Sequence, residues 1–127
     1  MKRENMFSIL TLIYLINATL LIVHEIDSAY WEEWKLFRLP GGLQGFLLIH
    51  IPLIALILYG LLEVNIRSLQ GNVISIVVGL GGIFAFSIHT YFIRKGNNKF
   101  NTITSKTLLY LILICSIIQI FQTLRTL

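Results

Sequence analysis

The chain has 127 residues, of which 56% are hydrophobic and only 13% charged, and its formal net charge is +4. Soluble globular domains carry about 25% charged residues, so this balance excludes that class. The basic residues are spread over the connections between apolar stretches rather than gathered in a stripe, and nothing in the sequence predicts binding to nucleic acid. We expect one integral membrane domain, residues 1–127, whose apolar surface faces the lipid bilayer.

Four apolar stretches are long enough to cross a bilayer, whose hydrocarbon core of roughly 30 Å needs about 20 helical residues. They cover about residues 6–24, 43–62, 73–93 and 107–123. A polar segment, 25–38, follows the first stretch and is expected to lie in the interface, and Leu39-Pro40-Gly41-Gly42 then forms a turn. Short connections favour antiparallel neighbours, so the predicted fold is an all-α, up-down bundle of four transmembrane helices.

Threading the four helices back and forth brings three histidines to one membrane face. His24, His50 and His89 lie one in each of the first three stretches. Ionisable groups at membrane depth usually face a bundle interior or a cavity, so this cluster predicts a functional site. We expect His89 to point inward because Ser75 and Gly82 precede it at intervals of seven, on a face of small residues that allows close helix packing.

The carboxylates that follow His24 predict the chemistry of this site. His24 and Asp27 stand three residues apart on one helix face. Three imidazoles and a carboxylate suit zinc or, less specifically, another transition metal such as iron, nickel or copper. The predicted metal ligands are therefore His24, Asp27, His50 and His89. A water in an open coordination position would be acidic enough for hydrolysis, and Glu25 and Glu32, seven residues apart, are the predicted catalytic general bases.

A site just beneath the lipid headgroups suits an amphiphilic substrate. The sequence thus predicts a small membrane-embedded, metal-dependent hydrolase or isomerase that acts on a lipid-like substrate. No stretch has the ligand spacing of a zincin or a zinc ribbon, so the reaction itself is not specified.

Structural packing is a second interpretation of the same residues, since polar side chains also join helices in membranes. His50 would then bond the carbonyl of Leu48, which Pro52 deprives of its helical partner. His89 would pair with Asn17 across the bundle. The chain would be a non-catalytic helper or subunit that docks a protein partner through its aromatic and acidic segment, Tyr30–Phe37.

The last stretch carries a polar stripe of its own, which lies toward the opposite membrane face from the histidines. We interpret this stripe as an interhelical contact or as the contact of a homo-oligomer. Ion or proton transport is a further alternative, and it would require a homo-oligomer because four short helices leave little room for a path. The stripe comprises Cys115 or Ser116, Gln119, and Gln122 or Thr123.

The run HEIDSAYWEEW, residues 24–34, with LPGGLQGFLLIHIPL after it, resembles a bacterial family of small integral membrane proteins of unknown function. The resemblance covers roughly the first half of the chain and includes His24, Glu25, Asp27 and His50. The chain is also distantly similar to membrane proteins named for a His-x-x-Glu-Glu motif, although Asp27 and Ser28 stand where that motif has glutamates. The resemblance implies a bacterial cytoplasmic membrane location and a functional role for His24 and its neighbours, without implying a reaction.

Overall fold

The computed structural model of the chain describes residues 7–127 and contains five helices and no strand within that range. Four of the helices are long and apolar enough to cross a membrane. A single helical turn lies between the first two of them. The predicted start of the first helix, at residue 6, lies outside the described residues. In chain order the helices are α1 (Ile9–Tyr30), α2 (Glu33–Leu36), α3 (Gly42–Asn65), α4 (Leu69–Arg94) and α5 (Ile103–Thr126).

Three of the long helices begin at a hydroxyl cap. Ser8, Ser68 and Thr102 precede α1, α4 and α5, and each side chain accepts a hydrogen bond from the backbone N–H three residues further on. Such caps satisfy donors that the first helical turn leaves free. Because these capped turns are polar, α4 and α5 begin earlier than the apolar stretches that predict them.

The four long helices form the predicted up-down bundle. Helix α1 packs against α3 and α5, and α4 packs against the same two helices from the other side. The order around the bundle is therefore the order along the chain, as expected when each connection is short. The all-α four-helix architecture predicted from the sequence is confirmed.

Polar residues lie inside this bundle and large apolar residues cover its outside. Asn17 and Gln119 are completely buried, whereas Ile26, Leu48 and Phe84 each expose more than half of their surface. A soluble monomer rarely exposes a continuous apolar surface of this kind. Together with the length of the helices, this surface indicates an integral membrane protein.

A hydrogen-bonded network of buried side chains joins α1, α4 and α5. The Asn17 amide donates to Ser116 Oγ at 3.1 Å and to Gln119 Oε1 at 2.9 Å. The Gln119 amide in turn donates to the Ser75 carbonyl, and the hydroxyls of Ser75 and Thr123 lie 2.8 Å apart. The polar stripe of the last helix is thus an interhelical contact within the chain.

Replacing Asn17 with Leu should destabilise the bundle by about 1–2 kcal/mol, because the oxygen atoms of Gln119 and Ser116 would lose their buried donor. The measurement is equilibrium unfolding in mixed micelles of increasing dodecyl sulfate content. Thr19→Val is the matched control, since the Thr19 hydroxyl bonds the Leu15 carbonyl of its own helix on the exposed face and, among residues 7–127, no other helix. Equal stability of the two variants would contradict a stabilising role for the network.

Candidate functional site

The end of α1 decides which glutamate enters the bundle. The helix continues to Tyr30, beyond the predicted end at residue 24, and Glu32 then adopts the left-handed conformation with φ 55° and ψ 52°. This residue separates α1 from α2 and turns the following Glu33 toward the interior. The Glu33 side chain is 11% exposed and that of Glu32 is 44% exposed.

Aromatic packing holds α2 against the rest of the bundle. The Trp34 ring lies 5.5 Å from the Phe46 ring, and Phe46 stacks on His50 at a centroid distance of 3.8 Å. Trp34 and Phe46 are both buried. The short helix that carries Glu33 is therefore anchored next to His50.

A second set of rings covers the other two histidines. Phe100, in the connection before α5, is buried, and its ring centroid lies 4.1 Å from that of His89 and 6.0 Å from that of His24. Phe37 approaches His89 at 6.0 Å. These aromatic side chains cover the two imidazoles, and His24 and His89 are accordingly buried.

The first group of ionisable side chains consists of His24, Glu33 and His89. Each offers one ligand atom, and the three atoms lie within 4.8 Å of one another. His89 Nε2 is 3.1 Å from Glu33 Oε1, and the two imidazole rings meet edge to face with centroids 4.8 Å apart. Two imidazoles and a carboxylate at these separations have the composition of a transition-metal site.

Both histidines of this group have an unpartnered nitrogen. The side chains of His24 and His89 are 1% exposed, and among residues 7–127 neither Nδ1 atom has a hydrogen-bond partner. An unpartnered polar atom at membrane depth is costly, since no water is available to satisfy it. Each of these two imidazoles therefore has one nitrogen that is free to bind a ligand or an ion or to form a further hydrogen bond.

Glu25 and His50 form a hydrogen-bonded pair beside this group. His50 Nδ1 lies 2.6 Å from the Phe46 carbonyl, which can only accept, so Nδ1 carries a proton. His50 Nε2 lies 2.6 Å from Glu25 Oε2, and a contact this short requires a further proton on one of the two atoms. Glu33 contributes a ligand atom within 4.8 Å of both partners, so it belongs to both groups.

The two pairings expected from structural packing are wrong. His50 bonds the carbonyl of Phe46 and not that of Leu48, because a helical side chain points back toward the residue four positions earlier. His89 contacts Glu33, while the Asn17 side-chain N–H groups donate to Ser116 and Gln119 of α5.

Asp27 and Glu32 lie apart from the histidines. Asp27 Oδ1 accepts a hydrogen bond from Trp31 Nε1 at 3.0 Å, along its own helix, and within the described part of the chain Asp27 joins neither group. Glu32 pairs with Lys35 at 2.7 Å, and this hydrogen bond lowers the pKa of the Glu32 carboxyl. A lower pKa makes a weaker base. The metal-ligand role of Asp27 and the catalytic role of Glu32 stay predictions.

Glu33 is the site residue that the sequence reasoning missed. A continuous helix places Glu32 seven residues after Glu25 and turns Glu33 away from it. No glycine or proline between residues 28 and 38 marks the break. The sequence does show two adjacent glutamates, Glu32 and Glu33, between two tryptophans. This pattern does not indicate which of the two glutamates faces the interior of the bundle.

Comparison with known proteins identifies a matching family, for which no activity is known. The model of a family described as "Family of unknown function (DUF6713)" matches residues 10–126. No curated protein and no solved structure gives a significant match. The matched range includes every residue of both groups and nearly the whole of the four long helices.

Proposed function

The chain belongs to the DUF6713 family, whose function is unknown, and we propose that it is a membrane-embedded enzyme that uses a transition metal, most simply zinc, as a hydrolase or isomerase. The observation that carries the proposal is the convergence of His24, Glu33 and His89, with two buried Nδ1 atoms that lack partners. Three protein ligands leave coordination positions for water or substrate, as catalytic metal sites require.

In this proposal Glu25 and His50 move protons. Their 2.6 Å contact is short enough for a proton to pass between them, and Glu33 has a ligand atom within reach of both this pair and the two other histidines. A metal held by His24, Glu33 and His89 would supply a Lewis acid. In hydrolysis the Glu25–His50 pair would take a proton from the attacking water and return it to the leaving group. In isomerisation it would remove a proton from one carbon and deliver one to another. The hydrogen bond with Glu25 occupies His50 Nε2, and we therefore assign His50 to proton transfer rather than to the metal.

The depth of the site supports a lipid-like substrate. At a rise of about 1.5 Å per residue, His89 lies roughly 7 Å from the end of α4 at Arg94, and His50 lies roughly 12 Å from the start of α3 at Gly42. When the helix ends are taken as the level of the headgroups, both positions lie beneath that layer. A substrate with an apolar body and a reactive polar group would place that group at this level.

The burial of the aromatic segment favours the enzyme over the helper interpretation. A docking surface made by Tyr30–Phe37 requires accessible aromatic side chains. Trp34 is buried against Phe46, and Trp31 is bonded to Asp27. Tyr30, which is 75% exposed, is the aromatic side chain of the segment that a partner would reach most readily.

Metal analysis of protein purified in mild detergent without a histidine tag tests the proposal. We expect one transition-metal ion per chain, measured by plasma mass spectrometry, and loss of this ion in His24→Gln and His89→Gln. His50→Gln should keep the ion, since its side chain is assigned to the proton pair. Circular dichroism would establish that each variant stays helical. Absence of metal in the unaltered protein, even after loading with zinc or iron, would overturn the proposal and favour a helper.

A further inference from the structure

An apolar groove of about 320 Å³ leads away from the Glu25–His50 pair. Glu25, Glu33 and His50 line one end of it. The remainder of the wall is hydrocarbon and comes from α1, α3 and α4. It includes Leu21, Leu53, Leu56, Ile57, Val77 and Phe84.

The groove runs along the helices and opens sideways. From His50 to Ile57 the wall extends for seven residues of α3, or about 10 Å, and the facing part of α4, from Ala85 back to Val77, is about 12 Å long. Phe84, at its rim, is 64% exposed on the outer surface of the bundle. The groove is thus open to the surroundings at membrane depth, and its polar end lies toward the headgroup layer.

Gly81 leaves room in the middle of this groove. A Cβ atom built at Gly81 meets no neighbouring atom within 4 Å, although the residue lies in the interior of α4 and lines the groove. Alanine would be the better helix former at such a position by about 1 kcal/mol. The packing of the bundle does not require glycine here, so the space it leaves is available to a molecule outside the chain.

We propose that this groove binds the hydrocarbon chain of a single-chain amphiphile, which enters sideways from the bilayer and places its headgroup at Glu25, Glu33 and His50. This inference rests on the proposed function and names the class of substrate. At membrane depth, an open apolar groove is in contact with the hydrocarbon chains of lipids. The volume lies at the low end of ligand pockets, about 300–1,000 Å³, and suits one chain rather than two.

The polar end of the groove selects the headgroup. Glu25 and Glu33 present carboxyl oxygens there, which accept hydrogen bonds from a donor that enters the groove. A headgroup that donates hydrogen bonds, such as a hydroxyl or an amine, fits this end. An ionised carboxylate or phosphate has no hydrogen to donate to these oxygens.

Photolabelling tests the groove directly. The probe is a long-chain alcohol that carries a diazirine in its chain, added to the full chain in phosphatidylcholine nanodiscs, with the labelled residues identified by mass spectrometry. We expect labels to concentrate on groove residues such as Leu56 and Phe84. In Gly81→Phe, where the ring fills the groove, this labelling should fall by about tenfold or more. Leu80→Phe, on the exposed surface outside the groove, should leave it unchanged.

Three results would overturn the inference. These are labels spread evenly over the outer surface, equal labelling of the Gly81→Phe and Leu80→Phe variants, and stronger labelling by the matched fatty acid than by the alcohol. Metal content separates this inference from the proposed function. Localised labelling of a protein without metal would support lipid binding in the groove and contradict the proposed metal site. Stoichiometric metal with evenly spread labels would support the metal site and contradict lipid binding in the groove.

Discussion

Replacing Glu33 with Gln is expected to lower the affinity of the protein for zinc by about a hundredfold or more. Loss of a residue that merely supports a ligand already costs about 10–100-fold, and Glu33 is proposed as a ligand itself. Glutamine keeps the size of the side chain but removes the only negative charge that faces both His24 and His89 in the three-residue group. At membrane depth an uncompensated cation is expensive. Competition with a chromophoric chelator in detergent measures the affinity, and plasma mass spectrometry measures the metal retained after purification.

The adjacent glutamate supplies the matched control. Glu32→Gln makes the same chemical change one residue earlier, at a side chain that pairs with Lys35 on the outside of the bundle. We expect this variant to bind zinc as the unaltered protein does. Loss of metal in Glu32→Gln with retention in Glu33→Gln would mean that the chain continues as one helix through this point, contrary to the left-handed residue at position 32.

The number and arrangement of the helices could be predicted because a membrane imposes them. Within a bilayer the backbone must satisfy its own hydrogen bonds, so each apolar stretch of sufficient length becomes a helix. The helix ends could not be predicted in the same way, since hydropathy reports contact with lipid rather than helicity. Residues 25–30 are polar in part, yet they continue α1. Their polarity is compatible with this position because Glu25 bonds His50 inside the protein and does not face lipid.

The composition of the site was predicted only in part, for a reason that lies in the backbone. The gathering of His24 and His89 follows from membrane depth and from the small-residue face of α4. The identity of the carboxylate depends on a left-handed residue after a helix end, where glycine is usual. Gly96 follows α4 and signals its end in the sequence, but Glu32 and Arg67 take the same conformation after α1 and α3 without such a signal. Local backbone hydrogen bonds close both turns, from the Glu32 N–H to the Ala29 carbonyl and from the Arg67 N–H to the Val64 carbonyl. Such bonds do not depend on the side chain, so the residue type does not reveal these turns.

Replacing Gly82 with Leu is expected to destabilise the bundle by roughly 3 kcal/mol, the upper part of the usual range for overpacking a core. Gly82 is buried where α4 crosses α5, and a Cβ atom there would overlap the Ser116 hydroxyl and press on Ile112. The Ser116 hydroxyl accepts a hydrogen bond from Asn17, so the added side chain would disturb the polar network as well as the helix contact. Unfolding by dodecyl sulfate in mixed micelles measures the change in the free energy of unfolding.

Gly81 is the control for this contact because it occupies the next position on the same helix. Gly81→Leu adds the same side chain where a Cβ atom meets nothing within 4 Å, and it gains about 1 kcal/mol of helix propensity. We expect Gly81→Leu to be as stable as the unaltered protein or more stable, while its side chain occupies the groove. If both leucine variants lost stability equally, the cost would not arise from the contact between α4 and α5. A large loss confined to Gly82 would assign the helix contact to Gly82 alone, which is the result expected if the space at Gly81 is kept for the proposed lipid chain.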